Sequence, residues 1–160
     1  MVAATIQITD PGLLTTIQDQ GRPGWAHLGV PRAGALDSHS AELANRLVGN
    51  ETGCGLLETT LTGIGFTVGS ALTMAVTGAS AQVWVNGRAL AWGEALSVGS
   101  GSQVRVGPAI IGVRSYVAFG GGIIVKPVLG SRSTDTLAQV GPPIVVGGTV
   151  LPIGRAAGAD

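Results

Sequence analysis

At 160 residues the chain has the length of one domain with a real core, and nine basic side chains balance nine acidic ones, leaving no basic stripe to attract nucleic acid. One cysteine, Cys54, excludes an internal disulfide framework and a cysteine-based zinc site. No apolar run approaches the ~18 residues that a membrane-spanning helix needs, and Met1–Thr5 lacks a basic leader, so the cytosol is the default expectation and no membrane partner is expected.

Apolar residues make up 45% of the chain, aromatic residues only 4%, and there are 27 glycines. The core must therefore be built from Val, Leu, Ile and Ala. Short apolar runs punctuated by glycine point to an all-β barrel or sandwich.

Ala3 to Thr9 alternates apolar and polar residues and reads as a strand. Asp10-Pro11-Gly12 is a turn, and Leu13 to Gln18 is a second strand. Thr16 to Asp37 then shows neither a period of two nor one of 3.6, apart from its strand start. It reads as a long ordered loop anchored by Trp25, Leu28, Val30 and Leu36. Asp37 is placed to cap a helix from about Ser38 to Val48. Its apolar stripe is Leu43, Ala44, Leu47 and Val48, with Gly49 or Asn50 closing it in a left-handed conformation and Glu42, Asn45 and Arg46 on the opposite, solvated face.

Beyond Cys54 the pattern is strand after strand: Leu56–Thr60, Gly65–Val68, Leu72–Thr77, Ala81–Val85, Ala89–Trp92, Ala95–Val98, Gln103–Val106, Gly112–Phe119 and a last one within Gly147–Ile153. Asn86-Gly87 marks a two-residue hairpin. Gly120-Gly121-Gly122 matches no phosphate-binding motif and reads as a strand-end bend. Gly154 to Asp160 is expected to fray.

Few residues can carry chemistry. Asp19 and Arg22 either anchor a small anionic or amide substrate or fix the loop they stand in. His27 is either a general base or a structural histidine; with His39, which should face solvent, it makes no metal-ligand pattern. Ser131-Arg132-Ser133-Thr134-Asp135 packs three hydroxyls, a guanidinium and a carboxylate into five residues, enough to complete a polar pocket opposite the first loop. Glu58 stands among Leu56, Leu57 and Leu61. If it points inward it needs a cationic partner, with Arg22 or Arg132 the obvious choices; otherwise it points to solvent. The combined expectation is that the segments around Arg22 and Arg132 face a common hollow.

These residues also carry a resemblance. Gln18-Asp19-x-Gly21-Arg22-x-Gly24, His27-Leu28-Gly29-Val30-Pro31, Gly34-Ala35-Leu36-Asp37, Ala44–Asn50, Leu57-Glu58, Thr77-Gly78-Ala79 and Leu129–Asp135, in that order, resemble the biotin-dependent carboxyltransferase family. That family is also called allophanate hydrolase subunit 2, KipA or the C component of 5-oxoprolinase. The resemblance implies a cyclophilin-like β-barrel with one short helix over residues 1–153, matching the first of the family's two related halves. It implies a part of an ATP-dependent 5-oxoproline or amide hydrolase, with ATP handled together with a KipI-like partner and a third oxoprolinase protein. A non-catalytic partner-binding or regulatory module, and carboxyl transfer from biotin to a urea-like substrate, are the alternatives. No Met-Lys-Met carrier motif occurs, so biotin would arrive on another protein. The resemblance makes Asp19, Arg22, His27 and Glu58 the catalytic candidates. Gln18, Asp37, Asn45, Ser131, Arg132, Ser133 and Asp135 are the substrate-binding ones, and no metal is expected. A barrel cut from a larger protein would expose an apolar face, so self-association is a further expectation.

Overall fold

The computed structural model describes residues 1–158. Two antiparallel sheets face each other. In chain order the strands are β1 (Val2–Asp10), β2 (Thr15–Gln18), β3 (Leu56–Thr60), β4 (Ile64–Val68), β5 (Leu72–Ser80), β6 (Val83–Val85), β7 (Arg88–Leu90), β8 (Leu96–Val98), β9 (Gln103–Val106), β10 (Ile111–Phe119) and β11 (Val150–Gly154). One sheet has the order β11-β1-β4-β9-β6-β7 and the other β2-β3-β10-β5-β8. The fold is mainly β, as expected; among the described residues the ladders do not close into a ring, so the barrel stays a pair of sheets. Among the described residues the one α-helix, α1 (Ser38–Leu47), lies outside them.

Alternation explains the layers. Ile6 and Ile8 of β1, Phe66 of β4, and Leu57, Val76 and Val117 of the second sheet meet between the sheets. Phe66 and Phe119 pack edge to face at 5.5 Å. The intervening residues of the second sheet, Leu56, Ala75, Tyr116 and Ala118, point the other way and receive Ala41 and Ala44 of α1 and Val48 just after it. With both faces covered, β3 is buried at every position.

The helix has the expected caps. The Ser40 amide donates to Asp37 Oδ1. Gly49, at φ 75°, and Asn50 return their amides to Arg46 and Asn45, the paired bonds of a Schellman closure. Its stripe is rotated from the expected one. Leu43 is exposed, while Ala41 and Asn45 are buried, because the face the helix turns to the sheet is that of Ala41 and Ala44. Asn45 therefore does not face solvent: its amide donates to the Thr52 and Cys54 carbonyls and its oxygen accepts from Asn50. Asn86 and Gly87 both take positive φ at the β6–β7 hairpin.

The glycine run at the end of β10 makes a bend, as expected. A Cβ on Gly121 would lie 2.2 Å from the Gly154 carbonyl oxygen, so this crossing of two backbones requires glycine. Gly154, expected in the frayed tail, belongs to β11 and is buried; residues 159 and 160 lie outside the described residues.

Candidate functional site

Of the four apolar anchors expected to hold the long loop, Leu28 and Leu36 are 62% and 72% exposed, while Trp25 and Val30 are half-buried. Polar contacts hold the rest. The Arg22 amide donates to the Arg32 carbonyl and the Ala35 amide to the Asp19 carbonyl, so the loop folds back on itself. Its only helical turn, Ala26–Leu28, leaves His27 exposed and stacked beside Trp25 at 6.3 Å, facing none of the groups described below.

Asp19 joins the loop to the Ser131–Asp135 segment. Its Oδ1 accepts from the Gly21 amide at 2.8 Å, Ser131 Oγ at 2.5 Å and Ser133 Oγ at 2.7 Å; its Oδ2 accepts from the Arg132 amide at 2.6 Å. The Asp19 amide donates to Ser133 Oγ, and Ser131 Oγ accepts the Ser133 amide. Burial alone would raise the Asp19 pKa, but donation from Ser131, Arg132, Ser133 and Gly21 outweighs it and holds the carboxyl below its ordinary value. A carboxylate so stabilised is a weak proton acceptor near neutral pH.

Arg22, three residues on, is 1% exposed. It donates to the Val128 and Ser133 carbonyls. Gln18 donates to Thr16 Oγ and to the Thr134 carbonyl. Gln18, Asp19, Arg22, Ser131 and Ser133 are thus gathered in one place from two distant stretches, while the Asp135 carboxylate serves its own turn, accepting from the Leu137 and Ala138 amides.

Glu58 is buried, but its cationic neighbour is neither Arg22 nor Arg132. Arg114, beside it on β10, lies 3.7 Å away. The reason is register: β3 and β10 pair Glu58 with Tyr116, and the Tyr116 hydroxyl donates to Glu58 Oε2 at 2.8 Å. The Leu36 amide donates to the same oxygen, and the Asp37 amide donates to the tyrosine hydroxyl. Burial raises the Tyr116 pKa, so this hydroxyl keeps its proton. Asp37 itself caps α1, accepting from Ser40; those bonds hold its carboxyl below the usual range.

Beside the Asp19 cluster, α1 and the loop line a cavity of about 480 Å³ that includes Asp19, Arg32, Ser38, Glu42, Asn45 and Cys54 among its walls. Asp19 connects it to the Ser131–Ser133 segment. Arg132 lies outside it, with Cδ packed near Gly55 and its charge acting on Cys54, which does line it. The cavity is thus lined from the first loop, through Asp19, Gln20 and Arg32, but by no residue of Ser131–Asp135, and neither the Arg22 nor the Arg132 guanidinium opens into it, so the two segments do not face one hollow. Burial, reinforced by Glu51, raises the Cys54 pKa, so the thiol stays protonated. Sequence reasoning misses Arg32 and Cys54 as site residues. The signal for Arg32 is its place in the same polar loop; Cys54 carries none. Tyr116, the chain's one tyrosine, is equally silent.

Among the described residues no three His, Cys, Asp or Glu side chains cluster at metal-binding distance, and no helix is long and apolar enough to cross a membrane.

A two-sheet β fold carrying one external helix, with a polar loop strapped to a hydroxyl-rich segment by one aspartate, defines the class, and comparison with known proteins agrees. The carboxyltransferase domain family, subdomain A and B, matches residues 28–160, and the chain belongs to that family. It is 40% identical over 137 residues to the urea amidolyase of Saccharomyces cerevisiae, covering 85% of this chain and 8% of that protein. It is 35% identical over 153 residues to the C component of 5-oxoprolinase from Escherichia coli K12, covering 94% of this chain and 49% of that protein. The crystal structure of the K. lactis urea amidolyase superposes with a TM-score of 0.91 at 35% identity, over 96% of this chain and 10% of that one. The chain thus spans about half the length of one of these relatives and a small part of the others.

Proposed function

We propose that the chain is a subunit, or half-subunit, of an ATP-dependent hydrolase of 5-oxoproline or a related amide, acting with a KipI-like partner and a third oxoprolinase-type protein. The observation that carries this reading is the cavity beneath α1: it lies against the Asp19 junction and presents Arg32 and Ser38 to a small polar substrate. The match to the 5-oxoprolinase C component over 94% of this chain supports the choice of substrate class.

The chain's own residues do not fit ATP. The Gly120–Gly122 run is taken up by the crossing with Gly154, and no Lys-Ser or Lys-Thr pair follows it. Nucleotide binding is therefore assigned to the partner. In the assembled enzyme, Arg32 would orient a carboxylate or carbonyl oxygen, Asp19 would hold the two loops in register, and Glu58 with Tyr116 would fix the loop at the entry to α1.

The test combines this chain with its KipI-like partner and the third oxoprolinase-type protein. The expected result is 5-oxoproline-dependent ATP hydrolysis that Arg32→Ala lowers by about tenfold in kcat/KM without a change in thermal stability, because Arg32 is exposed. No such activity from competent partners overturns the proposal. A partner that binds the chain while activity stays blank marks it as a docking or regulatory module. The similarity to urea amidolyase favours a second reading, carboxyl transfer from biotin to a urea-like substrate. Avidin-sensitive carboxylation of urea in the presence of a biotin-bearing protein would establish it.

A further inference from the structure

Six large apolar side chains stand in solvent at the end of the second sheet where β3 turns into β4 and β10 begins. Ile111 is 77% exposed, Ile110 and Leu36 are each 72% exposed, and Leu13, Leu61 and Val113 are exposed beside them. Backbone bonds bring these stretches together. The Leu61 amide donates to the Val113 carbonyl, the Ala109 amide to the Leu61 carbonyl, and the Leu13 amide to Thr62 Oγ1. Leu36 joins them at a shallow groove of about 340 Å³, lined by Leu36, Ile111 and Val113 with the small residues Gly78, Ala79 and Gly112.

These side chains are presented from a fixed backbone. The Leu36 amide donates to the buried Glu58 carboxylate, and the next amide to the Tyr116 hydroxyl. Ile111 and Val113 flank Gly112, at φ 103°, where β10 slips its register against β5. Leu61 takes φ 56°, a left-handed conformation that glycine adopts without strain, although nearly half of its side chain stands in water. Apolar groups held rigidly in solvent gain nothing within the chain, and they lose little conformational freedom when something covers them.

We propose that this face is covered by a second copy of the chain, in a homodimer whose two-fold axis passes beside the groove. Charge and area both favour that occupant. The groove is lined by one acid and one base, Asp37 and Arg114. A surface of mixed sign matches itself across a two-fold axis, with Asp37 of each copy toward Arg114 of the other. The formal net charge of zero leaves no repulsion between copies to overcome. At roughly 100 Å² for each exposed side chain the six present about 600 Å² per copy. Two copies face to face therefore remove about 1,200 Å² from water, the lower end of the range for stable specific interfaces. The proposal does not rest on the function proposed above, and its test reads association of the chain alone, so either can fail without the other.

Sedimentation velocity of the full chain at rising concentration, up to about 1 mM, tests it. The expected result is a species of twice the 15.9 kDa chain mass. Ile111→Lys and Leu36→Lys should each weaken the dimer by at least about a hundredfold, with the melting temperature unchanged because both side chains are exposed. Leu137→Lys, at an exposed apolar position outside the patch, should leave the dimer intact. Amide exchange of the wild type gives a readout that needs no variant: Leu61 and residues 110–113 should exchange more slowly as concentration rises. A chain that stays monomeric at about 1 mM overturns the proposal. So does a dimer that both groove variants leave intact, or one that Leu137→Lys dissolves. Protection of residues 110–113 only when a different protein is added assigns the face to a foreign partner and overturns it too.

Discussion

Asp19 and Arg22 stand three residues apart in one loop and are in opposite states. Every contact the Asp19 carboxylate makes goes to the chain itself, from Gly21 and from Ser131, Arg132 and Ser133 more than a hundred residues away. Arg22 is more deeply buried, yet keeps part of its guanidinium unpaired. The difference separates a carboxylate saturated by the chain from a buried cation left partly unpaired, where sequence shows two equally polar residues.

The comparison can be broken by mutation. Asp19→Ala should have the largest effect, about 4 kcal/mol, because it strands several buried donors that now meet a charge; chemical denaturation reads it. The folded-state pKa of Asp19 lies below its ordinary value, so its contribution is present above the unfolded value and lost as pH falls through the folded one. The stability gap between wild type and Asp19→Asn should therefore narrow below about pH 4. A gap independent of pH would show that the carboxylate charge is not what holds Ser131–Ser133.

Arg22→Ala should cost less, about 3 kcal/mol, from two stranded carbonyls and a cavity, since the removed cation was itself incompletely paired. If it proves as harmful as Asp19→Ala, Arg22 is as structural as its neighbour. Tyr116→Phe removes one link of the Glu58 cluster and should cost about 1 kcal/mol, with faster amide exchange at Leu36 and Asp37, whose amides that cluster holds. Smallest in reach is Asp37→Ala, about 1 kcal/mol confined to the first turn of α1, seen as amide-exchange loss at Ser40 and not in the Asp19 junction.

Much of the scaffold is legible in the sequence. The strands, the Asn86-Gly87 hairpin and both helix caps follow from patterns a few residues long, and the structure repeats them to within one to three residues at most ends. The candidate site is legible only in part. That Gln18, Asp19, Arg22, Ser131 and Ser133 belong together follows from their polar clustering; that His27 lies outside the group, exposed on its own turn, does not. The charges of Glu42 and Arg46 assign their neighbour Asn45 to the solvated face of α1, yet the helix turns its Ala41 and Ala44 face to the sheet and Asn45 is buried.

Where the chain extends, turns and coils is dictated locally, because those choices are made by side chains acting on their own backbone. The choice of partners belongs to the assembled fold: Arg114 and Tyr116 for Glu58, through the β3–β10 register, and burial without a counter-charge for Arg22. Such outcomes depend on which strands lie side by side and how deep each group sinks. No short stretch of residues encodes that, since a charge's partner is whatever the fold brings within reach.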